Sequence, residues 1–260
     1  MSEHQFINYS VTNRVATIAL NTPKSLNALH QKMRLEIMQA VQQVEADDQV
    51  RVVIVTGEGK AFCAGADLTE GMPGYDNFVD QCAAEYTPWL MGIHNSNKIY
   101  IAAVNGVAAG IGSAVAMNCD LMIMGSDAYI YQAFSAIGLM PDGGATWLLL
   151  NKLGYQRAFE MAADAGRITA EQCVQLGLAN KVVPEEELRD QAQNWAERLA
   201  KGAPLAQRAL KTLMRKASTM SYEEVIKQEA ILQSELIKTE DASNAVTAFF
   251  AKQAVEFNGR

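Results

Sequence analysis

Apolar positions along this chain change rhythm several times, and each change marks a new element. Residues 11–20 alternate, with Val15, Thr17 and Ala19 on one side and Ala16, Ile18 and Leu20 on the other, which predicts a strand. A loop carrying Pro23 and Lys24 follows over residues 21–29. In residues 31–45, Met33, Ile37, Ala40, Val41 and Val44 recur at helical spacing and predict an amphipathic helix. Residues 50–56 and 99–104 are apolar runs of strand length. A helix is expected within residues 76–94, after a loop that Gly71, Pro73 and Gly74 mark as mobile. Residues 120–124 and 128–131 add two short strands. Strands separated by helices imply βαβ crossovers and an α/β fold.

Beyond about Gly144 the strands give way to successive helices, at residues 145–153, 156–163, 169–176, 185–200, 204–216, 221–236 and 239–253. Thr169 with Gln172, and Ser221 with Glu224, stand at capping-box spacing.

Two small-residue turns follow strand-like runs directly. One is Phe62-Cys63-Ala64-Gly65-Ala66-Asp67-Leu68; the other is Asn105-Gly106-Val107-Ala108-Ala109-Gly110-Ile111-Gly112. Without bulky side chains, such turns let a ligand approach the main chain. If each opens a helix, its first N–H groups lack partners and face outward. Two such donors converging on one oxygen form an oxyanion hole. A dinucleotide site is the competing reading of the second turn. Its order, Gly106-x-x-x-Gly110-x-Gly112, is not GxGxxG, and no P-loop lysine follows.

Composition narrows the partners. The 260 residues are 49% hydrophobic and 20% charged, in the range of globular proteins. A net charge of -7 argues against nucleic acid as the main partner, though a local helix terminus or lysine can still hold a small anion. No apolar run reaches membrane-spanning length, and Met1-Ser2-Glu3-His4 lacks signal-peptide features, so a cytoplasmic protein is expected. Cys63, Cys82, Cys119 and Cys173 read as reduced, mostly buried thiols, and the scattered His4, His30 and His94 suggest no metal site.

The motifs Asn27-Ala28-Leu29, Phe62 to Leu68, Ala103-Val104-Asn105-Gly106 and Asn118-Cys119-Asp120 together resemble the crotonase (enoyl-CoA hydratase/isomerase) superfamily. The likeness continues through Gly138, Pro141, Leu176-Gly177-Leu178, Val182-Val183 and Phe250-Ala251-Lys252, in order along nearly the whole chain. It implies a crotonase fold, with a core of repeated ββα units over residues 1–199 and a helical region at 200–260 that builds trimers or pairs of trimers. It also implies an acyl-CoA thioester as ligand, with coenzyme A part of the substrate and no separate cofactor. Carried over by position, Ala66 and Ile111 supply the N–H donors to the thioester oxygen. Most relatives have glycine at the second position; isoleucine keeps the N–H, and its side chain must point away from the acyl group. Main-chain groups at Ala64, Asp67 and Leu68 would hold the adenine, near Lys24 and Leu26, and Lys252 would approach CoA phosphates. Gly65, Gly110 and Phe134 complete the expected substrate contacts.

Carboxylates decide what such a hole does. Hydratases of the family use two glutamates, at positions held here by Ala114 and Phe134, neither of which moves a proton. What remains is Asp142 in Gly138-Leu139-Met140-Pro141-Asp142-Gly143-Gly144, where double-bond-shifting members place their acid/base. A double-bond shift needs one such group, and Phe134, Leu139, Met140 and Trp147 would raise its pKa if they line the site. The expectation is therefore an enoyl-CoA isomerase; the active-site pattern is closest to the ring-opening isomerase of phenylacetyl-CoA breakdown. The alternatives are a hydratase or other lyase with a different base, and a non-catalytic acyl-CoA binder. A structural reading of Asp142 also exists: it stands where it could merely cap the next helix.

Overall fold

Long and short strands alternate through the first half of the chain, and this alternation builds two sheets. In the computed structural model, which describes residues 4–260, β1 (Ile7–Thr12) and β2 (Val15–Leu20) form a hairpin, followed by α1 (Gln31–Ala46). Met1–Glu3, read above for targeting features, lie outside the described residues. Next come β3 (Val52–Gly57), β4 (Ala61–Cys63), α2 (Phe78–Gln81), a π-type turn over Cys82–Tyr86, and α3 (Thr87–Asn95). The unit repeats as β5 (Ile99–Val104), β6 (Val107–Ala109) and α4 (Ile111–Asn118). It begins again with β7 (Leu121–Gly125) and β8 (Tyr129–Tyr131), and then α5 (Ala145–Leu153) and α6 (Tyr155–Ala163) follow. The remainder is β9 (Arg167–Thr169), α7 (Ala170–Gln175), β10 (Lys181–Val183), α8 (Leu188–Ala200), α9 (Pro204–Ala217), α10 (Tyr222–Leu236) and α11 (Glu240–Ala251).

The long strands form a six-stranded sheet in the order β1-β2-β3-β5-β7-β10, parallel except for β1. The short strands form a second sheet, β4-β6-β8-β9, parallel except for β9. This is the expected ββα repetition.

Burial explains the apolar runs. Val53 and Val55 pack toward α1, α3 and α4, while Val52 and Ile54 face Leu188, Ala192, Trp195 and Ala196 of α8. Both faces of the central strands are covered, as continuous rather than alternating hydrophobicity requires. In β2 the alternation separates Ala16, Ile18 and Leu20 on one face from Val15 on the other.

Residues 11–20 are not one strand. The chain reverses at Asn13 and Arg14, with φ of 52° and 65°, and the predicted strand begins afresh at Val15. Two successive left-handed residues make the tight turn that suits a hairpin's twist. Both capping boxes form: Thr169 and Ser221 each accept from the third helical N–H, and Gln172 and Glu224 each reach back to their cap. Among the described residues no helix is long and apolar enough to cross a membrane.

Candidate active site

The two small-residue turns meet because their strands are neighbours. β4 and β6 pair in parallel, Ala61 with Val107 and Cys63 with Ala108, so the segments leaving their C-terminal ends emerge side by side. Ligand sites of parallel sheets gather at such ends. Gly65 and Gly110 touch: a Cβ on Gly65 would stand 3.0 Å from the Ala109 carbonyl oxygen and 3.7 Å from Gly110 Cα. Their φ values, 102° and 51°, lie in the region that glycine adopts and other residues avoid.

Peptide geometry orients the next two N–H groups. Leu29 N–H donates to the Gly65 carbonyl at 2.8 Å. In a trans peptide the C=O and the following N–H point oppositely, so the Ala66 N–H is directed away from Leu29. The Gly110 carbonyl accepts from Ser113 N–H at 3.0 Å and Ser113 Oγ at 2.6 Å, both inside α4. By the same geometry the Ile111 N–H points out of the helix N-terminus. Neither Ala66 N nor Ile111 N donates to a partner among the described residues. Two unspent donors therefore leave adjacent turns. The second helix begins at Ile111; the first turn opens no helix, and its donor is oriented by the Leu29–Ala66 bridge instead.

The asparagines of the motifs hold this frame. Asn27, fully buried, accepts from Thr22 N–H at 2.9 Å and donates to the carbonyls of Glu58 and Ala61 at 3.0 and 2.8 Å. Asn105 accepts from Gly57 N–H and donates to Gly59 O at 2.9 Å. Together they lock the turn between β3 and β4, from which the first donor segment departs.

Asp142 reaches the same place from the other side. Gly143 lies on the first turn of α4, where a Cβ would stand 2.7 Å from Ile111 Cγ1 and 3.3 Å from Ala114 Cβ. The Ile111 side chain is thus packed under Gly143. Asp142 does not cap α5: Gly144 is the cap residue, with no side-chain cap bond, and only the Asp142 backbone carbonyl receives Ala145 N–H. Its Oδ1 is buried and has no hydrogen-bond partner among the described residues. Burial pushes its pKa up to about 6, opposed by the residue's own backbone N–H. Asp142 in turn helps raise the pKa values of Cys82 and Tyr86, after burial in each case, which places it beside the π-type turn.

Of the four apolar residues expected around Asp142, Phe134 is at the site, with Cζ 3.8 Å from where a Gly110 Cβ would sit. Leu139 and Met140 instead border a cavity of about 380 Å³ with Tyr155 and Phe159, and Trp147 lies against His94. Ala114 and Phe134 are both buried, and neither position brings a carboxylate to the site. Cys63 is an inert thiol, pushed up to about 12 by burial.

The remaining expected contacts divide. Ala64 N–H donates to Leu26 O at 2.9 Å, bringing the exposed Lys24 and Leu26 beside the first turn. Asp67 N–H is spent on Leu29 O, and its side chain closes a turn onto Thr69. Leu68 is 70% exposed. Lys252 ends α11 in a left-handed conformation; no hydrogen bond or ion pair among the described residues ties it to this cradle.

Residues 10–260 match the family model described as enoyl-CoA hydratase/isomerase. The chain belongs to this family. It is 36% identical over 260 residues to a protein of Rhodobacter capsulatus named probable enoyl-CoA hydratase, covering 100% of both. It is 34% identical to the 1,2-epoxyphenylacetyl-CoA isomerase of Escherichia coli, covering 98% of this chain and 99% of that one. Among solved structures, the enoyl-CoA hydratase of Bacillus anthracis superposes with a TM-score of 0.93 at 28% identity, over 98% of this chain and all of that one. The crotonase fold expected from the motifs is therefore present, in an enzyme family that includes both hydratases and isomerases.

Proposed function

We propose that this member binds an enoyl-CoA, holds the thioester oxygen between the N–H groups of Ala66 and Ile111, and shifts the double bond with Asp142 as its single acid/base. One observation carries the choice: a buried Asp142 oxygen without a partner beside the helix that donates from Ile111, with apolar side chains at both hydratase positions.

The steps follow from the groups available. The Asp142 carboxylate takes a proton from C2 of a 3-enoyl thioester, and the electron pair spreads to the carbonyl oxygen as a dienolate. Two prearranged donors stabilise that charge more than they stabilise the neutral thioester. The protonated Asp142 then returns the proton to C4, leaving the double bond between C2 and C3. A pKa near 6 suits a group that must both take and return a proton near neutrality. With Ala64 and Asp67 N–H already engaged, the Ala64 carbonyl is the group suited to accept from an adenine amino group. The exposed Leu210, Met214, Phe249 and Phe250 on α9 and α11 support assembly into trimers.

Hydration of a 2-enoyl-CoA is the second reading, favoured by the name of the Rhodobacter relative. Incubation with 3-enoyl-CoA and 2-enoyl-CoA in deuterated water separates the two. Migration of the double bond with deuterium at C2 and C4 is expected. Net addition of water at C3, undiminished in Asp142→Asn, would overturn the isomerase reading.

A further inference from the structure

A charged pair lies buried behind the first donor, and nothing in the proton shuttle uses it. Arg34 projects from α1 in line with Ile37, Val41 and Val44, on the helix's apolar side, and is 1% exposed. Glu85, equally buried, meets it from the π-type turn, accepting from Arg34 Nε at 2.9 Å and Nη2 at 2.6 Å. Burial drives the Glu85 carboxyl upward, but bonds from Gln31 and Arg34 outweigh it and hold the pKa below its ordinary value.

The guanidinium touches the catalytic frame at several points. Nη1 donates to the Leu29 carbonyl, which also accepts from Asp67 N–H, while the Leu29 N–H fixes the Gly65 peptide. Nη2 also lies 3.2 Å from Glu70, the residue that closes the same segment by accepting from Gln31 N–H. Its plane sits 4.8 Å from the centre of the Tyr86 ring, beside Asp142. Leu29 and Glu70 flank the peptide that carries Ala66 N–H. A side chain gripping both sets the direction of that N–H.

We propose that Arg34, held by Glu85, is a positioning residue for the Ala66 donor, coupling the oxyanion hole to the turn that faces Asp142. The π-type turn is part of the device. Its adjacent Glu85 and Tyr86 are both buried and both meet Arg34, Glu85 by hydrogen bonds and Tyr86 through its ring. The loop predicted to be mobile is tied to the same centre, because Gln31 also donates to Pro73 O at 3.1 Å and to Glu85 at 2.5 Å. The loop at Pro73, the donor peptide and the π-type turn therefore share one ionic hub.

The inference rests on the oxyanion reading given above, and the test keeps the two apart. The variants are R34K, E85Q and the pair R34M/E85M, which removes both charges without stranding either. The probe is a saturated acyl-CoA labelled with carbon-13 at the thioester carbonyl, read by isotope-edited infrared spectroscopy beside isomerisation kinetics. In the unaltered protein the bound carbonyl stretch falls below the free value. In R34K and R34M/E85M it returns toward the free value and kcat drops about 10–100-fold, the scale of a weakened oxyanion donor. KM rises less than kcat falls, because Arg34 reaches the adenine-side segment only through the Leu29 carbonyl. A carbonyl band and kcat unchanged in folded R34M/E85M overturn the role of Arg34. So does loss of fold in all three variants, which would assign the pair to stability alone. An unshifted band in the unaltered protein overturns the oxyanion reading itself.

Discussion

Gly143 rests on Ile111 so closely that the residue after the carboxylate and the residue donating from α4 share one van der Waals boundary. The distance between the proposed base, Asp142, and the proposed donor, the Ile111 N–H, is consequently a packing distance. Gly143→Ala, which must displace the Ile111 side chain and adopt a φ of 60°, is expected to lower kcat by about 10-fold or more. Steady-state kinetics on 3-enoyl-CoA check this, with unaltered KM marking misplacement rather than lost binding.

Asp142→Asn keeps the shape of the side chain and removes the proton carrier. Isomerisation should fall about 10²–10⁴-fold, the usual contribution of a positioned acid/base. Affinity for a saturated acyl-CoA should survive, measured by calorimetry. Substantial turnover in this variant would move the chemistry to another residue.

The same substitution tests the burial of Asp142 through pH. Its folded pKa is raised to about 6 from 3.8, so the native state binds this proton more tightly than the unfolded chain does. The resulting stabilisation is complete below the unfolded value and is lost as pH rises through the folded one. At about pH 8 the buried charge costs on the order of 2–3 kcal/mol. Asp142→Asn should therefore resist urea better than the unaltered protein at about pH 8 and show no advantage at about pH 4. In parallel, kcat/KM should rise with pH through about 6 as the carboxylate forms. Equal urea midpoints for both proteins at both pH values would contradict the buried placement.

Asn27→Ala should cost stability rather than a single catalytic step. It strands Thr22 N–H and the Glu58 carbonyl, leaves the Ala61 carbonyl to Asn105 alone, and puts alanine at a φ of 58°. Buried polar groups without partners, together with a left-handed alanine, predict a loss of about 2–4 kcal/mol. Denaturant unfolding measures it.

Elements held by local pattern were legible before the structure. Met33, Ile37, Ala40 and Val44 mark α1, and Thr169 with Gln172 caps α7 as the spacing requires. The hairpin at Asn13 and Arg14 was not, because neither residue is glycine and the alternation runs past the turn. Three-residue strands such as β9 and β10 are shorter than any periodicity can register. At the candidate site, the two small-residue turns and Asp142 could be picked out from small residues and one carboxylate. The Arg34–Glu85 pair could not, since its partners are 51 positions apart. Its one local sign was a charge on the apolar line of α1. The surroundings of Trp147, Leu139 and Met140 were not legible either: hydrophobicity does not say which neighbours a side chain meets, and all three stay exposed.

In the proposed reading both polarising groups belong to the main chain, and that has a consequence for heredity. Replacing the side chain at 66 or 111 with any residue but proline leaves the amide behind. Such a device drifts in spelling without drifting in chemistry. Selection on the outcome of the reaction is then left to the handful of side chains that look onto the amides, so a lineage can change its product by altering one of those neighbours while inheriting the hole intact.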